Sequence, residues 1–176
     1  MRRFLFAAAA AAALLSSSAP ALAIASGSWP AMAQARREFD IGVDLVNHGA
    51  YAQATPHLEA ALNEFPDDTD ILNYLGFVHR LAARQMTGTA REGELRLAST
   101  YYRRALDSAP SRKAFLEFMG EIYLDMNNVP AAREKLKALD SECPEGCAER
   151  DMLARSISTY VPPPPPVHDL PPAPAR

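Results

Sequence analysis

Few side chains in this chain of 176 residues could do chemistry: His48, His57, His79 and His168, and the cysteines Cys143 and Cys147. No histidine stands at metal-ligand spacing from another, and no Cys-x2-Cys occurs, so the sequence predicts no metal site. His48 precedes Gly49 at an expected helix end, where an imidazolium complements the helix dipole. Gly88 and Gly93 have the glycine spacing of a phosphate loop, but Glu94 and Leu95 stand where Lys and Ser or Thr are required. There is no Gly-x-Ser-x-Gly nucleophile turn, no Gly-x-Gly-x-x-Gly, and no nucleophile beside a base. The expectation is a protein that is not an enzyme and carries no cofactor.

The cysteines enclose a short turn, Cys143-Pro144-Glu145-Gly146-Cys147. In an oxidising compartment an even pair reads as a disulfide, and residues four apart on a helix, or joined by a Pro/Gly turn, come within bridging range. A structural staple is the first reading. A thiol-based redox or metal carrier using the same turn is the alternative, weakened by the lack of a histidine or methionine at short range.

The elements that would position these residues follow a ruler. Pro110 and Pro144 are 34 residues apart, while Pro66 and Pro110 are separated by 34 plus a ten-residue insertion around Arg84 to Gly93. Gly76 and Gly120 each stand ten residues after a proline, and counting back from Pro66 reaches Gly42. Behind the glycines run Ala54, Leu58 and Ala61, then Ala98, Tyr102 and Ala105, then Ala132, Leu136 and Leu139, at matching positions. Glycine inside a helix costs about 1 kcal/mol relative to alanine, which points to close helix approach, expected against Ala54, Ala98 and Ala132. Asp68 or Thr69, and Ser111, are expected N-caps, and Pro130 suits a first helical turn.

With Leu72-x2-Leu75-Gly76-x2-His79 and Leu116-x2-Met119-Gly120-x2-Tyr123, this spacing resembles the tetratricopeptide repeat over residues 35 to 144. The first unit departs from the pattern, with Glu38 at the leading position and Leu45 where the tyrosine belongs. The resemblance implies an all-α fold of tetratricopeptide-type helical repeats, an α-solenoid of three helix pairs plus a capping helix. Met152, Leu153, Ile157 and Tyr160 recur at helical spacing and suit the cap. The chain is also similar to small exported repeat proteins that end in a Cys-Pro-x-Gly-Cys turn.

By the same resemblance, the first helix of each pair lines a groove for a protein or peptide partner. Its expected residues are Phe39, Val43, Val46, Asn73, Phe77, Arg80, Glu117, Glu121 and Leu124. This apolar and acidic set lacks the basic residues with which family members clamp a terminal carboxylate. Arg80, Arg84, Arg91 and Arg96 read as a solvated basic stretch.

The ends complete the organisation. Met1-Arg2-Arg3, twelve apolar residues to Leu15, and Ala21-Leu22-Ala23 match the three parts of a signal peptide over 1–23, cleaved at Ala23 or Ala25. The apolar run is short of the roughly 20 residues a bilayer span needs, and the expected location is the periplasm or outside the cell. Losing two arginines leaves 16 basic and 21 acidic residues, a net charge of −5. That argues against nucleic acid as partner. A linker over 24–34 precedes the helical domain at 35–160. Residues 161–176 hold eight of the fifteen prolines and form a polyproline tail, either solvated or docking in an aromatic groove.

Overall fold

Pro30 stands in the first turn of α1 (Trp29–Asn47), where its missing amide donor costs nothing. The strong helix formers Ala31 to Arg37 follow it. This corrects the expected linker: residues 29–34 are already helical, and Ala35 is buried. The computed structural model describes residues 29–163, so the expected signal segment 1–23 and residues 164–176 of the proline tail lie outside the described residues.

Six further helices follow, and no strand occurs among the described residues: α2 (Tyr51–Glu64), α3 (Thr69–Arg84), α4 (Gly88–Ser108), α5 (Lys113–Asp125), α6 (Val129–Glu142) and α7 (Ala148–Thr159). No helix among the described residues is long and apolar enough to cross a membrane.

The boundaries have local causes. Gly49, at φ 74°, lets the amide of Ala50 reach back to Leu45 O at 2.9 Å and close α1. His48 Nδ1 meets Asp44 O at 2.8 Å in that last turn. Asp68 caps α3 by accepting from the amides of Asp70 and Ile71 at 2.9 and 3.1 Å. Asn128 caps α6 by accepting from Ala131, with Pro130 in the first turn. Ser111 does not cap α5; Arg112 occupies that position, and its side chain makes no capping bond.

The ten extra residues do not form a loop. Only Gln85, Met86 and Thr87 separate α3 from α4, and the remainder lengthens α4 to 21 residues. Ala90-Arg91-Glu92 and Glu94-Leu95-Arg96-Leu97 are good helix formers, and a single glycine between them, Gly93, does not outweigh them.

Consecutive helices pack as pairs, α1 with α2, α3 with α4 and α5 with α6, while α7 closes on both α5 and α6. Two clusters make the core. The larger runs from Val46 and Leu58 through Leu72, Leu75 and Tyr102 to Phe115 and Ile122. The smaller joins Leu116, Leu124, Ala132 and Leu139 to Leu153 and Ile157 of α7. The expected helix crossings are present at the glycines, with different partners. A Cβ on Gly42 would lie 2.7 Å from Leu58, one on Gly76 2.6 Å from Tyr102, and one on Gly120 2.5 Å from Leu153. The nearest neighbours are therefore large side chains, not Ala54, Ala98 and Ala132. At Gly120 the neighbour belongs to α7, so the cap packs there directly.

Candidate functional site

The odd-numbered helices share one side of the molecule. Phe39 of α1 meets Tyr74 of α3 edge-on, ring centroids 5.6 Å apart. Arg80 of α3 reaches α5, where Nη2 donates to Glu121 Oε2 at 2.5 Å and Nε donates to Asp125 Oδ2 at 2.6 Å. Ser156 of α7 donates to the other carboxylate oxygen of Glu121. No pair of even-numbered helices comes together to a comparable extent among the described residues. The odd helices thus share one face, the one that the repeat resemblance assigns to the inside of the stack.

Of the expected groove residues, Phe39, Val43 and Asn73 line an open furrow of about 570 Å³ between α1 and α3. Phe77 is 41 % exposed on α3, edge-on to Tyr51. Arg80 and Glu121 form the ion pair across α3 and α5. Three expectations fail as surface residues: Val46 and Leu124, 7 % and 6 % exposed, belong to the core clusters, and Glu117 is buried on α5. The twelfth repeat position, counted with the glycine as eighth, turns inward at α1 and α5 and stays at the surface only for Arg80.

Glu117 is only 7 % exposed, yet its carboxylate has no hydrogen bond and no ion pair among the described residues. Burial pushes its pKa up to about 7, Glu121 and Glu149 add to the rise, and Arg80 opposes it. Burial also disfavours the charge of Glu121, but the bonds from Ser156 and Arg80 win and hold that carboxyl below its ordinary range. Arg80 loses solvation as well, and its two carboxylate partners more than offset this.

The furrow holds residues that the repeat resemblance did not single out: Asp40, Asp44, Asn47, Asp70 and Tyr74. Each follows or precedes an expected position by one to three residues. The available signal was charge spacing, since Asp40 and Asp44 stand four apart and Glu117, Glu121 and Asp125 form a second stripe at the same interval. Asp70 has a partner in Arg112 at 3.3 Å, both well exposed.

The insertion arginines do not share one solvated face. Arg91 donates to Ala83 O at 3.1 Å and to Asp125 O at 2.9 Å, satisfying carbonyls at the ends of α3 and α5. Arg80 lies in the ion pairs above, while Arg96 is exposed beside Glu92.

His57 and His79 each meet a carboxylate. His57 Nδ1 lies 2.7 Å from Glu38, which explains the carboxylate at the leading position of the first unit; this bond draws the Glu38 pKa down. His79 is buried, bonded through Nδ1 to Glu94 at 2.6 Å and stacked on Tyr101. Cys143 and Cys147 end α6 and begin α7, with their sulfurs at disulfide distance and Cα atoms 6.0 Å apart. Gly146 at φ 91° turns the chain, its amide donating to Cys143 O at 2.8 Å.

Compared with known proteins, the chain matches no family model and no curated sequence.

Proposed function

We propose that this protein is a non-enzymatic adaptor of the cell envelope, built from three tetratricopeptide-type helix pairs and a capping helix, that holds a protein or peptide segment on its inner face. The observation that carries this reading is the furrow between α1 and α3, where Phe39, Val43, Asn73 and Tyr74 line about 570 Å³ of open space. Next to it Phe77 holds an aromatic ring at the surface. Partly exposed aromatic groups beside unpaired polar atoms are what a bound peptide chain needs: apolar anchors and hydrogen-bond partners. Export rests on the pattern of the first 23 residues, and the disulfide distance at Cys143 and Cys147 suits an oxidising compartment.

The test is capture of a native partner from the envelope fraction with the double variant Phe39→Ala, Phe77→Ala. Leu124 is left intact because it is core. Loss of at least about tenfold in capture, with an unchanged helical spectrum, supports the groove. Capture that survives this variant and disappears on removing residues 161–176 places binding in the tail instead.

A further inference from the structure

The inner face holds hydrogen-bond acceptors that the protein itself does not satisfy. Glu117 is the clearest: more than nine-tenths buried, on α5, with neither donor nor cation bonded to it among the described residues. The nearest guanidinium, Arg80, is already committed to Glu121 and Asp125. The groups that face Glu117 are Glu121 on its own helix, Arg80 from α3, Tyr102 from α4 and Glu149 from α7. One cation among these carboxylates leaves a net negative site. At the equivalent position one repeat earlier, Asn73 presents a second acceptor, its Oδ1 buried without a partner. Beyond it the furrow adds Asp40, Asp44 and Asp70.

A carboxylate largely withdrawn from water, with no cation bonded to it among the described residues, costs stability when charged, and glutamine would fill the same space without the charge. The chemistry of Glu117 asks for a donor that carries positive charge, brought from outside.

We propose that the segment held on the inner face is basic, an extended stretch of polypeptide whose lysine or arginine head pairs with Glu117 between α3, α5 and α7. Neighbouring donors of the same segment serve Asn73 and the aspartates of the furrow. This rests on the groove reading and specifies the partner's chemistry. Because Glu117 ionises near neutral pH, binding strengthens as the pH rises through about 7.

The test uses the full chain and fluorescein-labelled decapeptides of alternating glycine with lysine, serine or glutamate, followed by anisotropy at low salt. At pH 8 the lysine peptide should bind at least about tenfold more tightly than the serine peptide, and the glutamate peptide not at all. Glu117→Gln should remove about tenfold of that affinity. Glu134→Gln, an exposed carboxylate on α6, should leave it unchanged. Lowering the pH to 5.5 should weaken binding to the wild type and not to Glu117→Gln; any other titration is common to both proteins. A melting temperature for Glu117→Gln at or above that of the wild type shows that lost affinity is not lost folding. Equal affinity of wild type and Glu117→Gln, or equal binding of the lysine and serine peptides, overturns the proposal. Spermidine displacing the lysine peptide at equal amine concentration also overturns it, because the site would then bind amines without regard to a chain. If the peptides fail while native capture still depends on Phe39 and Phe77, the groove stands and only its basic occupant falls.

Discussion

Adding one methyl group to Gly76 tests the packing most directly. Its Cβ would lie 2.6, 2.7 and 2.8 Å from three atoms of the Tyr102 ring, against about 3.5–4.0 Å for carbon atoms in contact. The ring must therefore move by about 1 Å. It cannot swing into solvent, being 1 % exposed and held against Phe115 and Phe118 at centroid distances of 6.4 and 5.4 Å. Overpacking of this kind costs about 1–3 kcal/mol, while the helix gains up to about 1 kcal/mol when glycine becomes alanine. The net expectation for Gly76→Ala is a loss of about 1–2 kcal/mol, a fall in Tm of about 3–10 °C for a domain of this size. Gly93 supplies the control inside the same helix pair. It is also within a helix, but a Cβ there meets nothing nearer than an Arg96 nitrogen at 3.9 Å. Gly93→Ala should gain about 0.5–1 kcal/mol. Thermal and urea melts followed by circular dichroism at 222 nm measure both. A stable Gly76→Ala, or a Gly93→Ala as damaged as Gly76→Ala, would refute the argument from close approach.

Two further outcomes follow from the site and the turn. Glu117 keeps its proton in the folded state up to about pH 7 but releases it near 4.5 when unfolded, so stability falls as the pH rises between these values. Discounted for the solvent its carboxylate still meets, the loss is about 1–3 kcal/mol; Glu117→Gln should melt higher than the wild type at pH 8 and no higher at pH 4, and a constant difference would sink this account. Replacing Cys143 and Cys147 together by serine opens a five-residue loop worth about 2 kcal/mol on the chain-entropy model; Tm should drop by a few degrees with partner capture kept, whereas full stability with capture lost would favour the thiol-carrier alternative.

The helical pairs were legible because the glycines and alanines recur at fixed distances, and a helix that must pass close to another leaves that mark at every repeat. The ten inserted residues broke the ruler, and spacing alone does not say whether an interruption lengthens a helix or a connection. Their own propensity was helical, and α4 simply absorbed them. The start of α1 was missed for a related reason: residues before the first repeat obey no ruler, although Pro30 and the alanines after it favour a helix. Phe39, Val43 and Asn73, which line the furrow, could be brought to one face from register alone. Val46 and Leu124 could not, since whether a twelfth-position side chain turns inward depends on how neighbouring pairs tilt. Arg91 was beyond local reasoning altogether, because its two acceptors, Ala83 O and Asp125 O, are 8 and 34 residues away in sequence.

Asp125 has a consequence beyond the ion pair it makes. Its side chain takes Arg80 and its carbonyl takes Arg91, so two arginines of the middle helix pair are tied to the end of α5. Across the other seam, α1 and α3 share the Phe39–Tyr74 contact but no ion pair among the described residues. Oriented bonds resist sliding and shear, whereas aromatic surfaces permit both at little cost. Along the odd-helix face the stack should therefore be unevenly stiff, firmer between α3 and α5 than between α1 and α3. Hydrogen exchange should report this as faster opening of α1 and α2 than of α3 and α5. A segment docking as proposed would meet a fixed floor at α5 and an adjustable wall at α1.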